Sequence, residues 1–356
     1  MPNPALCRTP GVSSAFPQKP KTAPIPSPLN LGDTTGAAIS NSKNPKDQSP
    51  NSPEEQELWD KAKNAEGAER ADALVKLSYI AHSRDDYEQS LALCESAKEI
   101  YESLGAEAGN EVLAHVYTGI SYSLNEMQRN EEAVLTGKRA IELLEEIGST
   151  DVLKAYRDEA SFAFDAKQYE DSINWYTKAL EYVSPDDHEY HKGWDHFYIA
   201  RSQLKLDQSE AAIPHLIAAR EIFKNSKNPR PVAYCDEQLA LAHANLGQLE
   251  FAKTHAELAL DFAETSEDEV RTYWSNIRYA RVCELAGEYQ EAYDFYKEAK
   301  SWEVNNSKFT YWPHVFQLEL HMATCLDGLE RPDEAIEIRR RIYALAESLG
   351  LEPEEP

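Results

Sequence analysis

Residues 280–299 read ARVCELAGEYQEAYDFYKEA, and this stretch contains the pattern on which the fold depends. Small residues stand at Ala280, Ala292 and Ala299, and a polar turn at Gly287 and Glu288 separates two runs with helical periodicity. Such periodicity is typical of amphipathic helices. Two antiparallel helices can pack at a short interaxial distance only where their crossing points carry minimal side chains. The stretch therefore predicts a tight helical hairpin.

The same three small positions recur through the chain. From one repeat to the next, the second small residue recurs after 43, 39, 40, 40, 40 and 43 residues. The first lies twelve residues earlier and the third seven residues later, with Ile342 as the one departure. An unbroken period near 40 predicts a solenoid of stacked hairpins. In chain order the triads are Ser78, Ser90, Ala97; Ser121, Ala133, Ala140; Ala160, Ser172, Ala179; Ala200, Ala212, Ala219; Ala240, Ala252, Ala259; Ala280, Ala292, Ala299; and Ala323, Ala335, Ile342.

These repeats resemble tetratricopeptide repeats (TPR), in a long variety of about 40 residues in place of about 34. The small triad carries the resemblance, together with an aromatic before the second helix (Tyr87, Tyr169, Tyr289) and a turn glycine (Gly247, Gly287). The closing proline is absent, and the first small residue is Ser or Ala in place of Gly. The resemblance implies an all-α, right-handed α-α superhelical solenoid of about seven TPR-like hairpins. It also implies a concave face lined by the first helix of each repeat.

The N-terminal region differs from the rest in composition. Residues 1–52 hold ten of the 19 prolines and few large apolar residues, and we interpret them as a disordered tail. Ser52 as a cap and Pro53 at the first helical position predict a helix start, so the solenoid is expected at 53–350. An acidic C-terminal tail is expected at 351–356. A targeting role or a proline-rich docking role for residues 1–52 remains open.

Charge and cysteine usage narrow the functional classes. A net charge of −26 opposes binding to nucleic acid or to an anionic membrane surface. The five cysteines are scattered without a Cys-x-x-Cys pair, which favours reduced thiols in the cytoplasm. No phosphate loop or nucleophile motif is present, so we expect neither an enzyme nor a cofactor. Asp195 and His196 with the histidines 188 and 191 offer metal-ligand types but no closed set, and we expect no metal site.

We predict that the concave groove binds a protein or peptide. Arg and aromatic residues dominate the energetics of such interfaces, and arginine fits carboxylates in a bidentate manner. The expected partner therefore carries acidic groups or a free C-terminus. The opposing interpretation is that the aromatics fill the core and the arginines pair with neighbouring acids. The candidate groove residues are Tyr79, Tyr122, Asn125, Arg157, Trp194, Tyr198, Arg201, Lys205, Tyr234, Trp274, Arg278 and Arg281.

Two functions follow from these expectations. The first is a non-catalytic scaffold for protein or peptide binding. The alternative is a peptide-sensing regulator whose superhelix changes conformation when its ligand binds. The oligomeric state is not indicated by the sequence.

Overall fold

The computed structural model describes residues 52–105, 109–182, 188–226, 230–266, 269–305 and 312–348, with the helix alone described at 303–305 and 312–315. The predicted tails therefore lie outside these residues, except for Ser52. The described residues form fifteen helices. They are α1 Pro53–Asn64, α2 Gly67–His82, α3 Tyr87–Leu104, α4 Asn110–Glu126, α5 Asn130–Ile147, α6 Val152–Asp165, α7 Tyr169–Glu181, α8 Glu189–Lys205, α9 Ser209–Lys224, α10 Arg230–Asn245, α11 Leu249–Thr265, α12 Glu269–Leu285, α13 Tyr289–Asn305, α14 Trp312–Gly328 and α15 Pro332–Ser348.

From α2 onward the helices form seven consecutive hairpins, which we number repeats 1 (α2–α3) to 7 (α14–α15). Each helix packs on the one before it and the one after it along the chain. First helices of neighbouring repeats also touch, as α8 touches α10 and α10 touches α12. This is the connectivity of an α-solenoid, in which each repeat contacts only its neighbours. The predicted all-α solenoid of seven hairpins is confirmed.

The small residues of the triad lie where the two helices of each hairpin cross. In all seven repeats they are at most 3% exposed, and the exception Ile342 is 8% exposed. In repeat 3 the approach is close enough for the Ser172 hydroxyl to donate to the Ala160 carbonyl at 2.8 Å. A larger side chain at these points would separate the helices, because the interior is already close-packed.

The turn inside each hairpin has one geometry. The residue seven positions after the first small residue adopts positive φ in every repeat: Asp85, Gln128, Lys167, Asp207, Gly247, Gly287 and Glu330. The following N–H then bonds back to a carbonyl of the first helix, as Gln168 N does to Ala163 O at 2.8 Å. This is the Schellman arrangement that closes a helix C-terminus. Five of the seven positions hold a non-glycine residue, so the hydrogen bonds fix the conformation and glycine does not.

Helix α1 begins at Pro53, where the Ser52 hydroxyl accepts the Glu55 N–H at 3.1 Å. The carboxylate of Glu55 is buried and accepts two hydrogen bonds from Arg84, at 2.6 and 2.8 Å. Arg84 belongs to the turn of repeat 1. The pair therefore attaches α1 to the first repeat.

Four cysteines (Cys94, Cys235, Cys283, Cys325) are buried and unpaired, and Cys7 lies outside the described residues. Among the helices that the structure describes, none is long and apolar enough to cross a bilayer.

Glu159 of α6 is a buried carboxyl group. Its side chain is 1% exposed, and neither carboxyl oxygen has a hydrogen-bond partner. It fits because α5 carries Gly137 opposite to it, where a Cβ atom would lie 2.1 Å from Glu159 Oε2. Burial raises the pKa of Glu159 from 4.5 to about 8; the charge of Lys138 opposes this shift, and those of Asp171 and Asp158 add to it. The group is therefore protonated in the folded protein over a pH range in which it is ionised in the unfolded chain.

This raised pKa predicts a pH-dependent loss of stability. Between pH 4.5 and about 8 the folded state holds a proton that the unfolded state has released, so stability falls as pH rises. We expect the melting temperature of Glu159→Gln to fall less between pH 5 and pH 8 than that of the wild type. Thermal unfolding followed by circular dichroism measures the melting temperature at each pH. Glu170→Gln, at an exposed position on α7, serves as the control and should keep the wild-type slope. Equal slopes for all three proteins would contradict the assignment.

Candidate functional site

The first helices of repeats 4, 5 and 6 expose the same four positions. In repeat 4 these are Trp194, Tyr198, Arg201 and Lys205, and none of the four is buried. Intervals of four, three and four residues place side chains on one face of a helix. The corresponding residues are Tyr234, Gln238, Leu241 and Asn245 in repeat 5, and Trp274, Arg278, Arg281 and Leu285 in repeat 6. We call this stripe, together with its counterparts in the other repeats, the inner face.

The structure places most of the candidate groove residues on the inner face. Tyr79 and Tyr122 occupy the position of Arg201 in repeats 1 and 2, and Tyr79 is 56% exposed. Arg157 and Asn125 lie off the stripe. The residues that the structure places on it are Tyr79, Tyr122, Trp194, Tyr198, Arg201, Lys205, Tyr234, Trp274, Arg278 and Arg281.

Arg157 points between repeats 3 and 4. Its guanidinium bonds both carboxylate oxygens of Asp195 at 2.6 to 3.0 Å, and the two side chains are 11% and 1% exposed. Arg157 therefore joins two repeats, and only a small part of its side chain faces solvent.

Asn125 has a similar structural role. Its amide lies between repeats 2 and 3 and donates to Asp165 at 3.3 Å, while its Oδ1 is buried without a hydrogen-bond partner. Burial raises the pKa of Asp165, and Asn125 and the charge of Arg201 oppose the shift.

Two further arginines of the inner face are engaged with buried acids. Arg278 lies 3.6 Å from Glu237, which also pairs with Arg271 at 3.3 Å. Arg281 pairs with Glu284 within its own helix, although 45% of its side chain remains exposed. Arg278 and Arg281 therefore pair with neighbouring acids, as the opposing interpretation of the sequence expects.

Arg201 differs from them. Its guanidinium lies 4.8 Å from the ring centroid of Phe164, 5.3 Å from that of Tyr198 and 5.8 Å from that of Phe197. It forms no ion pair within the described part of the chain, and neither does its neighbour Lys205 one turn later. Burial raises the pKa of Tyr198 to about 12, with the charge of Arg201 opposing the shift. A half-buried cation thus rests on three rings and forms no ion pair within the described residues, although its charge acts on Asp165 and Glu237.

Tyr198, one of the three rings that contact Arg201, belongs to a larger aromatic cluster. Tyr198 stacks on Tyr176 with centroids 5.5 Å apart, and Trp194 contacts Phe223 at 5.0 Å and Tyr234 at 6.2 Å. Tyr176 and Phe223 are buried in the core, whereas Trp194, Tyr198 and Tyr234 are partly exposed. Trp274 of repeat 6 is 37% exposed.

Repeats 2 and 3 hold a separate polar cluster. Lys154 lies over the Tyr122 ring at 5.1 Å and pairs with the buried Asp158 at 3.1 Å. Burial raises the pKa of both Tyr122 and Asp158. The cation of this cluster already has its counter-ion.

Two exposed leucines are among the inner-face residues of repeats 4 to 6 that were not candidates. Leu241 and Leu285 are 38% and 45% exposed, in the same stripe as Arg201 and Lys205. The sequence could have indicated both leucines, because each stands at a fixed offset from the small residue of its helix. The prediction rested on charged and aromatic residue types, and leucine is neither.

Two of the residues considered for a metal contact other side chains. Asp195 bonds Arg157, and His196 Nδ1 lies 2.9 Å from His215 Nδ1. Within the described residues, two other sets bring three potential ligand atoms together: Glu111, His115, Asp151, and Cys283, Glu288, Glu291. The first is fully exposed, and the second is bridged by Lys253, whose Nζ contacts both of its carboxylates.

The position of Arg157 leads to a stability prediction. Arg157→Met leaves the carboxylate of Asp195 buried without its guanidinium, which should destabilise the fold by about 3–5 kcal/mol. Adding Asp195→Leu should recover most of the loss. Chemical unfolding measures both. The control Arg139→Met removes an exposed pair with Glu142 and should cost at most about 1 kcal/mol. Equal losses in the two single variants would show that the buried pair has no special role.

Comparisons with known proteins give the fold from structure alone. Neither the protein-family models nor the curated proteins include a match. Among solved structures, the apo form of RapI superposes with a TM-score of 0.58 at 15% identity, covering 78% of this chain and 77% of that one. A Rap protein complexed with Competence and Sporulation Factor gives 0.50 at 17% identity, covering 78% and 77%.

A signal transduction ATPase of Pyrococcus horikoshii with a tetratricopeptide repeat sensor gives a TM-score of 0.62 at 14% identity. That match covers 83% of this chain but only 44% of the larger protein. At these identities the comparisons bear on architecture only. The solenoid and its neighbours together show that the chain has the tetratricopeptide-type fold.

Proposed function

We propose that this protein is a non-catalytic scaffold of the cytoplasm that binds a peptide or protein segment on its inner face at repeats 4 to 6. The observation that carries the proposal is Arg201, a half-buried guanidinium held on three aromatic rings without an ion-pair partner in the described residues. The other inner-face arginines have buried acids to neutralise them. Arg201 is available to a ligand from outside.

The chemistry of this residue indicates what the ligand carries. Withdrawing a cation from water is unfavourable unless an anion and hydrogen bonds compensate for it. A guanidinium binds a carboxylate through two parallel hydrogen bonds. Because the rings already hold Arg201 in one place, little side-chain freedom is lost when a carboxylate docks. An acidic side chain or a free C-terminus fits this site, and Lys205 adds a second cation one turn away.

Two further observations support the absence of catalysis and the cytoplasmic setting. Burial raises the pKa of the Cys283 and Cys325 thiols to about 12, and that of Cys94 in the same direction. Thiols with such values stay protonated and are poor nucleophiles. Buried unpaired cysteines also suit a reducing compartment. The fold is compatible with ligand binding, since the Rap protein of similar architecture was solved in complex with Competence and Sporulation Factor.

Selection from a random peptide library tests this function. We expect the wild-type protein to retain peptides enriched in acidic residues and Arg201→Glu to lose them, because charge reversal places a carboxylate opposite a carboxylate. Arg340→Glu, an exposed reversal on α15, is the control and should retain the same peptides as the wild type. If the wild-type protein retains no peptides, or if Arg201→Glu retains the same ones, the proposal fails.

The alternative function, a peptide sensor, requires the solenoid to change conformation. The buried pairs between repeats oppose this, because Arg157 with Asp195 and Arg271 with Glu237 hold neighbouring repeats in one register. We therefore favour a scaffold of fixed geometry.

Small-angle X-ray scattering separates these two functions. At saturation with a library-selected peptide, we expect the radius of gyration to stay within experimental error of the free protein. A clear decrease or increase on binding would favour the sensor.

A further inference from the structure

The inner face of repeats 4 to 6 is a regular grid, and its rows differ in chemistry. One row, which we call the aromatic row, consists of Trp194, Tyr234 and Trp274. A second, which we call the middle row, consists of Arg201, Leu241 and Arg281. Within each helix the two rows are seven residues apart, which corresponds to about 10 Å along the axis.

The middle row alternates cation, apolar, cation. Leu241 is 38% exposed, and the Arg281 side chain is 45% exposed. Leu241 is thus partly open to solvent, and the row presents two anion sites with an apolar contact between them.

Arg281 can take a second carboxylate despite its pair with Glu284. The Glu284 carboxylate is also held by His321 Nδ1 at 3.0 Å and by the Tyr296 hydroxyl at 2.9 Å. If Arg281 turns toward a ligand, Glu284 keeps two partners in its buried position. The desolvation penalty that would follow from loss of its only partner does not apply here.

The dimensions of the row fit a short extended segment. Packed helices lie about 8–10 Å apart, so Arg201 and Arg281, two repeats apart, are separated by roughly 16–20 Å. An extended chain advances about 3.3 Å per residue and covers that distance in about six residues. The residue midway then lies over Leu241.

The neighbours of Leu241 favour an extended backbone over a helical one. Gln238 and Asn245 flank it on the inner face, and each carries a carboxamide that both donates and accepts. Asn245 Nδ2 donates to Ser209 Oγ at 3.0 Å, which fixes the orientation of its amide. Only an extended ligand leaves its backbone N–H and C=O groups open to such amides, because a helix uses them internally.

We propose that repeats 4 to 6 bind an extended peptide in which two acidic residues, six positions apart, flank an apolar residue midway between them. This inference rests on the proposed function and specifies the ligand of that site. The carboxylates bind Arg201 and Arg281, and the apolar side chain covers Leu241. Recognition then depends on spacing as well as on charge.

Fluorescence anisotropy with two synthetic seven-residue peptides tests the spacing. Both have blocked ends and a fluorophore on a flexible linker. The first has aspartates at its two ends and leucine at its centre, with alanines between. The second has the same composition with both aspartates at one end. We expect the first to bind about tenfold more tightly, since only it engages both arginines.

Matched variants make the result specific. Arg281→Glu should remove the preference for the first peptide, whereas Arg340→Glu should keep it. The double variant Arg201→Glu with Arg281→Glu should instead prefer a peptide with lysines in place of the aspartates. Circular dichroism confirms that each variant is folded.

The outcomes separate this inference from the proposed function. If library-selected peptides bind at Arg201 but the two synthetic peptides bind equally, or neither binds below about 1 mM, the spacing is wrong and the function stands. If the library gives no ligand, the function itself is wrong. Loss of the preference with Arg340→Glu would also overturn the inference.

Discussion

The close approach of two helices within each repeat is the constraint on which the rest of the structure depends. In every repeat the Ser and Ala residues of the triad are almost fully buried, and in repeat 3 the Ser172 hydroxyl reaches the Ala160 carbonyl of the facing helix. Away from these small residues, larger side chains of the first helix pack against the second helix, as Trp194 does against Phe223, or against the next repeat, as Arg157 does. Others lie on the inner face. The four exposed positions of Arg201 and its neighbours follow from that geometry.

Charge is distributed between two tasks. Buried carboxylates such as Asp195 and Glu237 lie where first helices of adjacent repeats meet, and arginines from the neighbouring repeat neutralise them. These pairs contribute to the register of the stack, since a misplaced repeat would leave a carboxylate buried alone. Arg201 forms no such ion pair within the described residues, and three aromatic rings hold it instead. An arginine that pairs with a buried acid holds two repeats together, whereas Arg201 remains open to a ligand.

Much of this architecture could be predicted from the sequence. Small residues at fixed offsets predicted the seven hairpins, and Ser52 with Pro53 predicted where α1 begins. The candidate site was less accessible. Arg157 and Tyr198 both lie close to a small residue, three positions before it in one case and two in the other. That one-residue difference is 100° around the helix, enough to turn a side chain from solvent to the next repeat. Whether an arginine finds an acid there depends on residues about 40 positions away, as with Arg157 and Asp195.

The turn within each repeat has a consequence for how such a chain changes over time. Its left-handed residue is Asp, Gln, Lys, Gly or Glu in different repeats, while the backbone hydrogen bonds around it stay the same. The constraint therefore lies in main-chain geometry and in side chains that are merely small. Neither specifies a residue identity, so substitutions can accumulate while the architecture persists. A fold of this kind keeps its shape long after its sequence has lost the record of common descent.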